Sequence, residues 1–146
     1  MIGLLQRVRE ASVSLEAQCI ARIEAGLLVL VGIKQQDTAE QARWLAQRLL
    51  DYRVFADSRG RMNRSLRDVD GGLLLVPQFT LCADTRRGLR PGFEKAAPPQ
   101  QAEALFESLC REAERLHPSR VAAGRFGADM QVALVNDGPV TFWLER

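Results

Sequence analysis

The chain carries two short, unbroken apolar runs, Leu27-Leu28-Val29-Leu30-Val31 after Gly26 and Leu73-Leu74-Leu75-Val76 after Gly71-Gly72. Runs of this kind suit strands covered on both faces, although periodicity alone does not separate such a strand from a buried helix. Pro77 and its β-favouring neighbours tip the second run towards a strand. Because proline cannot donate to a ladder, Pro77 marks a strand end, an edge or a bulge. Continued extension would then alternate the side chains, sending Gln78 and Thr80 one way and Phe79 and Leu81 the other. Two hydrogen-bonding side chains thus emerge together from the end of an apolar element. They either satisfy nearby backbone or mark the point where a sheet opens into a site.

The other elements follow from shorter patterns. Residues 2–16 alternate apolar and polar, with Ile2, Leu4 and Val8 on one phase and Ala11, Val13 and Leu15 on the other. A one-residue slip exchanges the faces of a strand, so a bulge or tight turn is expected near Arg9-Glu10, with Arg7 beside it. Arg7 is either a solvated edge charge or part of that feature. Ile20–Glu24 reads as a strand returning across the turn at residues 16–18. Asp37-Thr38-Ala39-Glu40 has capping-box spacing, with Asp37 as the cap, ahead of an amphipathic helix with Ala42, Leu45, Ala46 and Leu49 on one face. A short strand is expected at residues 53–55 and a turn at residues 57–60. Pro98-Pro99 opens a second helix whose stripe is Ala102, Leu105, Phe106, Leu109, Ala113 and Leu116, ending at His117-Pro118. Two extended segments, 130–135 and 140–144, flank Asn136-Asp137-Gly138-Pro139. Hairpins plus two amphipathic helices predict one α+β domain over residues 1–146, its curved or barrel-like, mainly antiparallel or mixed sheet covered by the helices.

Composition narrows the function. A net charge of +2 is too small to imply nucleic acid by itself, so that argument rests on where the arginines lie. No run approaches the roughly 18 apolar residues of a membrane span, and a cytoplasmic location is expected. Cys19, Cys82 and Cys110 are odd in number and far apart, which suits reduced, mostly buried thiols better than a disulfide framework or a zinc site. Neither a metal nor a cofactor is expected. No glycine-rich phosphate loop or nucleophile elbow is present, and the single histidine sits at a helix end, where it suits capping better than catalysis. What remains is Gln78, Thr80, the amides near them, a Gly-Pro turn, and a loop, residues 82–93, with Arg86, Arg87 and Arg90. Those guanidiniums suit phosphate, or the loop is a soluble connector.

Taken together, Val76-Pro77-Gln78-Phe79-Thr80-Leu81, Ala83-Asp84-Thr85-Arg86 with Arg90-Pro91, and Gly127-Ala128-Asp129-Met130-Gln131-Val132 leading into Val135-Asn136-Asp137-Gly138-Pro139-Val140-Thr141-Phe142-Trp143 closely resemble the D-aminoacyl-tRNA deacylases. Gln6-Arg7-Val8 and Met62-Asn63 extend the likeness over essentially the whole chain. The resemblance implies a homodimeric hydrolase with its active site at the subunit interface. Its substrate would be the 3′ end of aminoacyl-tRNA, from which it removes D-amino acids and also glycine mischarged on alanine tRNA. It further implies a cis Gly138-Pro139 peptide that enters the partner's site as a chirality gate, supported by Arg7. Phe126 and Met130 match positions lining the substrate pocket, although from pattern alone both also read as ordinary core. Two positions depart from the family: Pro77 stands where many members have serine, and Gly92 replaces the common serine before Phe93. A role for either serine therefore does not carry over.

A rigid backbone wall against the substrate Cα would clash with an L side chain and admit a D residue or glycine, which is specificity by exclusion. For the ester cleavage, Thr80 is a candidate nucleophile without an evident base. Water attack assisted by the adenosine 2′-hydroxyl is the favoured alternative. Amides around Phe79 and Thr80 would stabilise the oxyanion, with Gln78 and Thr80 positioning groups and Pro77 among the substrate contacts. The competing readings are a non-catalytic tRNA-binding protein and a small-metabolite enzyme with an interfacial pocket.

Overall fold

The computed structural model describes residues 1–86 and 88–146. Strand β1 (Ile2–Leu15) turns at Glu16-Ala17, both with positive φ, and returns as β2 (Gln18–Ile23) and then β3 (Gly26–Gly32). Both return strands run antiparallel to β1, β3 along its first half and β2 along its second. Strands β6 (Gly72–Pro77) and β7 (Val121–Ala123) add to β3 in parallel, and β8 (Gln131–Glu145) pairs antiparallel with β1 along its other edge. The result is a mixed, nearly closed barrel-like sheet of six strands in an α+β fold.

Helices α1 (Ala39–Asp51) and α3 (Pro99–Leu116) lie on one face. Their buried stripes, Ala42, Leu45, Ala46 and Leu49, and Ala102, Phe106, Leu109 and Ala113, join Leu27, Val29, Val31, Leu73 and Leu75 in one core. The other face encloses a second core of Val8, Ala11, Val13, Ala21, Ile23, Leu28, Leu74 and Val76. Successive residues of β3 and β6 thus enter different cores, which is why both strands are apolar without alternation. Each leucine that is fully buried in these strands contributes about 1.5–3 kcal/mol relative to exposure.

Several expectations need correction. Thr38, not Asp37, caps α1, with Gln41 completing the box, because Asp37 is buried and accepts from the Met1 ammonium and the Lys34 amide. A third, one-turn helix α2 (Leu66–Val69), too short to show an apolar period, is capped reciprocally by Ser65 and Asp68. The expected strand at residues 53–55 begins later, as β4 (Phe55–Ala56), and pairs with β5 (Met62–Arg64) in a separate two-stranded ribbon. Cys19 is exposed rather than buried, Cys82 is buried, and burial pushes the half-buried Cys110 thiol up to about 12. The alternation on β1 breaks earlier than it reads: Leu5 and Val8 are both buried, whereas Leu4 is half-buried. No described helix is long and apolar enough to cross a membrane.

Candidate active site

The carboxyl ends of the parallel strands β3 and β6 open onto a cleft of about 630 Å³. Ligands commonly sit at such strand ends. Val31, Ile33, Val76 and Pro77 form its floor, Phe93, Ala96, Ala97, Pro99 and Ala102 one wall, and Phe126, Ala128, Met130 and Val132 the other. Pro77, Phe126 and Met130 therefore all reach the cleft. Met130 packs against the inner core as well, and Phe126 against the helix-side core, so core and lining are the same residues here.

Extension does not continue past Pro77, contrary to the alternation argument. Phe79–Cys82 form a 3₁₀ turn, because Gln78 ends the ladder with its amide on Val31 O at 2.7 Å, and the Leu81 amide then turns back to Gln78 O at 3.2 Å. Gly32 makes room for this turn: a Cβ there would stand 2.9 Å from the Leu81 Cβ and 3.2 Å from the Cys82 Sγ. Gln78 and Thr80 are still brought together, with Gln78 Nε2 donating to Thr80 Oγ1 at 2.6 Å. Gln78 lines the cleft and Thr80 lies just outside it. Phe79 is 59% exposed and packs at a tilt against Phe93, with ring centroids 5.1 Å apart and planes 54° apart.

The turn has a chemical consequence. The amides of Phe79 and Thr80 have no hydrogen-bond acceptor among the described residues, as the first N–H groups of a helical turn lack internal partners. Two adjacent donors at the rim of an apolar cleft can hold a developing oxyanion. No titratable side chain lines the cleft among the described residues. His117 is remote from it, buried at the end of α3 with Nε2 2.8 Å from Gly71 O. Among the described residues no group of three or more His, Cys, Asp or Glu is gathered to hold a metal ion.

The loop after the 3₁₀ turn is pinched by reciprocal Asp84–Gly92 backbone bonds of 2.7 and 3.0 Å. Arg86 grips the Asp84 carboxylate, with Nε at 2.9 and 3.2 Å and Nη2 closing the fork. Those hydrogen bonds, together with the Arg86 amide, hold the Asp84 carboxyl well below the usual carboxylate range. Arg86 is thus committed to Asp84, Arg90 is exposed, and Arg87 lies outside the described residues.

Gly138 and Pro139 lie elsewhere, and neither lines the cleft. Strand β8 is continuous from Gln131 to Glu145 rather than two separate segments, but its pairing with β1 jumps from Val8–Asn136 to Gln6–Thr141. Residues 137–140 therefore bulge out opposite Arg7 alone, three more than a regular ladder needs. A second irregularity falls at Arg9. The Gly138–Pro139 peptide is cis. Arg7 holds the base of the bulge: Nε donates to Asp137 O at 2.9 Å and approaches Asp137 Oδ2 at 3.0 Å, while Nη1 donates to Val54 O at 2.5 Å. Asn136 Nδ2 spans the neck, reaching Arg7 O at 3.3 Å and Val140 O at 3.2 Å. A Cβ on Gly138 would fall 1.9 Å from Asn136 Oδ1 and 2.7 Å from the Val140 backbone nitrogen, so this bulge requires glycine. Sequence reasoning did not single out Asn136, although an Asn two residues before a Gly-Pro is a readable turn-closing signal.

A family model described as D-Tyr-tRNA(Tyr) deacylase matches residues 4–145. A D-aminoacyl-tRNA deacylase of Pseudomonas fluorescens (strain SBW25) is 59% identical over 145 residues, covering 99% of each chain. One from Alkalilimnicola ehrlichii (strain ATCC BAA-1101 / DSM 17681 / MLHE-1) is also 59% identical over 145 residues, covering 99% of this chain and 96% of that one. Among solved structures, the c-Myc DNA Unwinding Element Binding Protein superposes with a TM-score of 0.95 at 37% identity, over 100% of this chain and 99% of that one. A probable eukaryotic D-amino acid tRNA deacylase shares the fold, with a TM-score of 0.84 at 18% identity over 98% and 97% of the two chains. A site assembled at the Gln78–Thr80 turn, and likeness over the full length of these relatives, lead to one conclusion: the chain belongs to the D-Tyr-tRNA(Tyr) deacylase family.

Proposed function

We propose that this protein is a D-aminoacyl-tRNA deacylase, a hydrolase that proofreads translation by cleaving the ester between a D-amino acid and tRNA. The observation that carries the reading is the 59% identity to D-aminoacyl-tRNA deacylases over 99% of the chain. The substrate binds through its 3′ end, with the aminoacyl-adenosine in the cleft beside Pro77, Phe126 and Met130. Water attacks the carbonyl carbon, and the amides of Phe79 and Thr80 hold the oxyanion. The adenosine 2′-hydroxyl takes part in the proton transfer, and the 3′-oxygen leaves protonated, giving free amino acid and tRNA. Support for a substrate-supplied hydroxyl comes from a cleft lined by no titratable side chain among the described residues. Gln78 and Thr80 position the ester.

The active form is a homodimer. Gly138 and Pro139 of one subunit close the partner's cleft and exclude L residues, while glycine, having no side chain, passes and is also removed. This reading is supported by Gly138 and Pro139, which do not line the cleft of their own subunit, and by Leu134, Val135 and Trp143, which stand 36, 47 and 51% exposed on the same strand. Large exposed apolar residues on one strand suit a subunit interface. Arg7 supports the gate, and Arg86, Arg87 and Arg90 are the RNA-binding residues. The enzyme works in the cytoplasm, where charged tRNA is found, and needs neither metal nor cofactor. Incubation with D-, L- and glycyl-tRNA, with and without chelator, tests the proposal. Selective loss of the D and glycyl esters, unaffected by chelation, is expected; binding without turnover, or equal attack on L esters, would contradict it.

A further inference from the structure

The ribbon β4–β5 is a basic, exposed feature that the proposed reaction leaves unused. Between Phe55 and Arg64 it carries Arg59, Arg61 and Arg64, all exposed, against one acid, Asp57. Asp57 is spent inside the turn: its carboxylate accepts from the Arg59 amide at 2.8 Å, the Arg61 amide at 3.0 Å and Asn63 Nδ2 at 2.8 Å, which keeps it ionised and pointed inward. Arg64 reaches back to Asp68 O. Arg59 and Arg61 have no carboxylate within ion-pair distance among the described residues. The ribbon is thus a braced turn presenting two uncommitted guanidiniums, groups that suit phosphate.

Its position gives that surface a direction. The same Arg7 that holds Asp137 also donates to Val54 O at the foot of the ribbon, and Tyr52 packs edge-on against Phe142 at 5.6 Å, just beyond the bulge in β8. Two contacts, at Tyr52 and Val54, therefore anchor the foot of the ribbon beside the 137–140 bulge. An element that travels with the bulge reaches whatever cleft the bulge reaches.

We propose that the β4–β5 ribbon of one subunit is a tRNA-backbone clamp for the cleft of its partner. Arg59 and Arg61 contact phosphates of the acceptor end whose ester lies in that cleft. The inference rests on the interfacial site proposed above and adds that the RNA is held in trans by the subunit that supplies the gate. Phosphate contacts of this kind position RNA without reading its sequence.

The test uses Arg59→Gln with Arg61→Gln in the intact dimer. KM for D-aminoacyl-tRNA should rise about tenfold, with kcat unchanged. The slope of log KM against log salt should fall by about 1.4–1.8, the share of two phosphates. Hydrolysis of a D-aminoacyl ester of free adenosine should be unaffected. Unchanged KM and salt slope, or equal loss on the adenosine ester, would overturn the proposal. Placement in trans is read in a doubly tagged mixed dimer with one whole site, pairing a Phe79→Pro subunit with one lacking residues 137–139. Changing the two arginines in the Phe79→Pro subunit, which donates the bulge, should raise KM, and changing them in the other should not; the reverse would overturn it. Whether that dimer excludes L esters before any arginine is changed reports separately on the interfacial site.

Discussion

The cleft at the end of β6 and the bulge in β8 are built on opposite physical plans. The cleft is set into the core, walled by apolar side chains, and draws its polarity from Gln78 and from two amides that a 3₁₀ turn leaves without partners among the described residues. The bulge is held outside the sheet by polar contacts, with Arg7 and Asn136 bonding its backbone and a glycine where a Cβ would collide with Asn136. Val132, the last residue of β8 to line the cleft, is five residues from Asp137, roughly 17 Å along an extended strand. In the proposed reading the cleft receives the substrate and the bulge, which does not line that cleft, judges its handedness. A single chain would then hold two unlike half-sites.

The largest effect is expected at the cleft. Phe79→Pro removes one of the two free amides while leaving the first position of the turn compatible with proline, and kcat for D-aminoacyl-tRNA should fall on the order of 10²–10³-fold with little change in KM. A fall confined to KM would mean that the amide binds the ground state only. Next in size is deletion of residues 137–139, which leaves Val140 opposite Arg7 in a regular ladder. Discrimination between D and L esters, measured as the ratio of kcat/KM values, should drop on the order of 10²-fold while D-ester hydrolysis persists. Loss of both activities together would assign the bulge to catalysis instead.

Smaller effects are expected at the side chains that support the two regions. Arg7→Gln removes a side chain only 16% exposed that bonds two carbonyls, so denaturant unfolding should show a loss of about 1–2 kcal/mol, together with partial relaxation of L-ester exclusion. A stability loss with full selectivity would show that the bulge keeps its form without Arg7. Thr80→Ala deletes the acceptor of the Gln78 bond, worth about 1 kcal/mol, and should slow deacylation roughly tenfold or less. A covalent acyl-enzyme on Thr80, trapped by mass spectrometry in the native protein, would replace water attack with nucleophilic catalysis.

Much of the fold was legible because burial writes itself into residue order. The two apolar runs became β3 and β6 since both faces of those strands are covered, and the 3.6-residue stripes became α1 and α3. The phase slip on β1 was readable too, although the pairing shows it as two irregularities, at Arg7 and at Arg9. Where local pattern competed with a distant partner, the reading failed. Asp37 looked like a cap but is claimed by the Met1 ammonium, thirty-six positions away. Gln78 and Thr80 were expected to meet by strand alternation and meet instead across a 3₁₀ turn, which leaves the amides of Phe79 and Thr80 free. The continuity of β8 was hidden because Asn-Asp-Gly-Pro reads as a chain break, when it is an insertion into one ladder.

The central claim is that the bulge of one subunit completes the cleft of the other. Its most direct test titrates the protein lacking residues 137–139, which should hydrolyse D and L esters alike, with an excess of Phe79→Pro subunits that are themselves nearly inactive but carry an intact bulge. As subunits exchange, L-ester hydrolysis should fall while D-ester hydrolysis persists, because each working cleft acquires a bulge from its silent partner. If L-ester hydrolysis is unchanged once mixed dimers have formed, the two half-sites do not meet across the interface and the account is wrong.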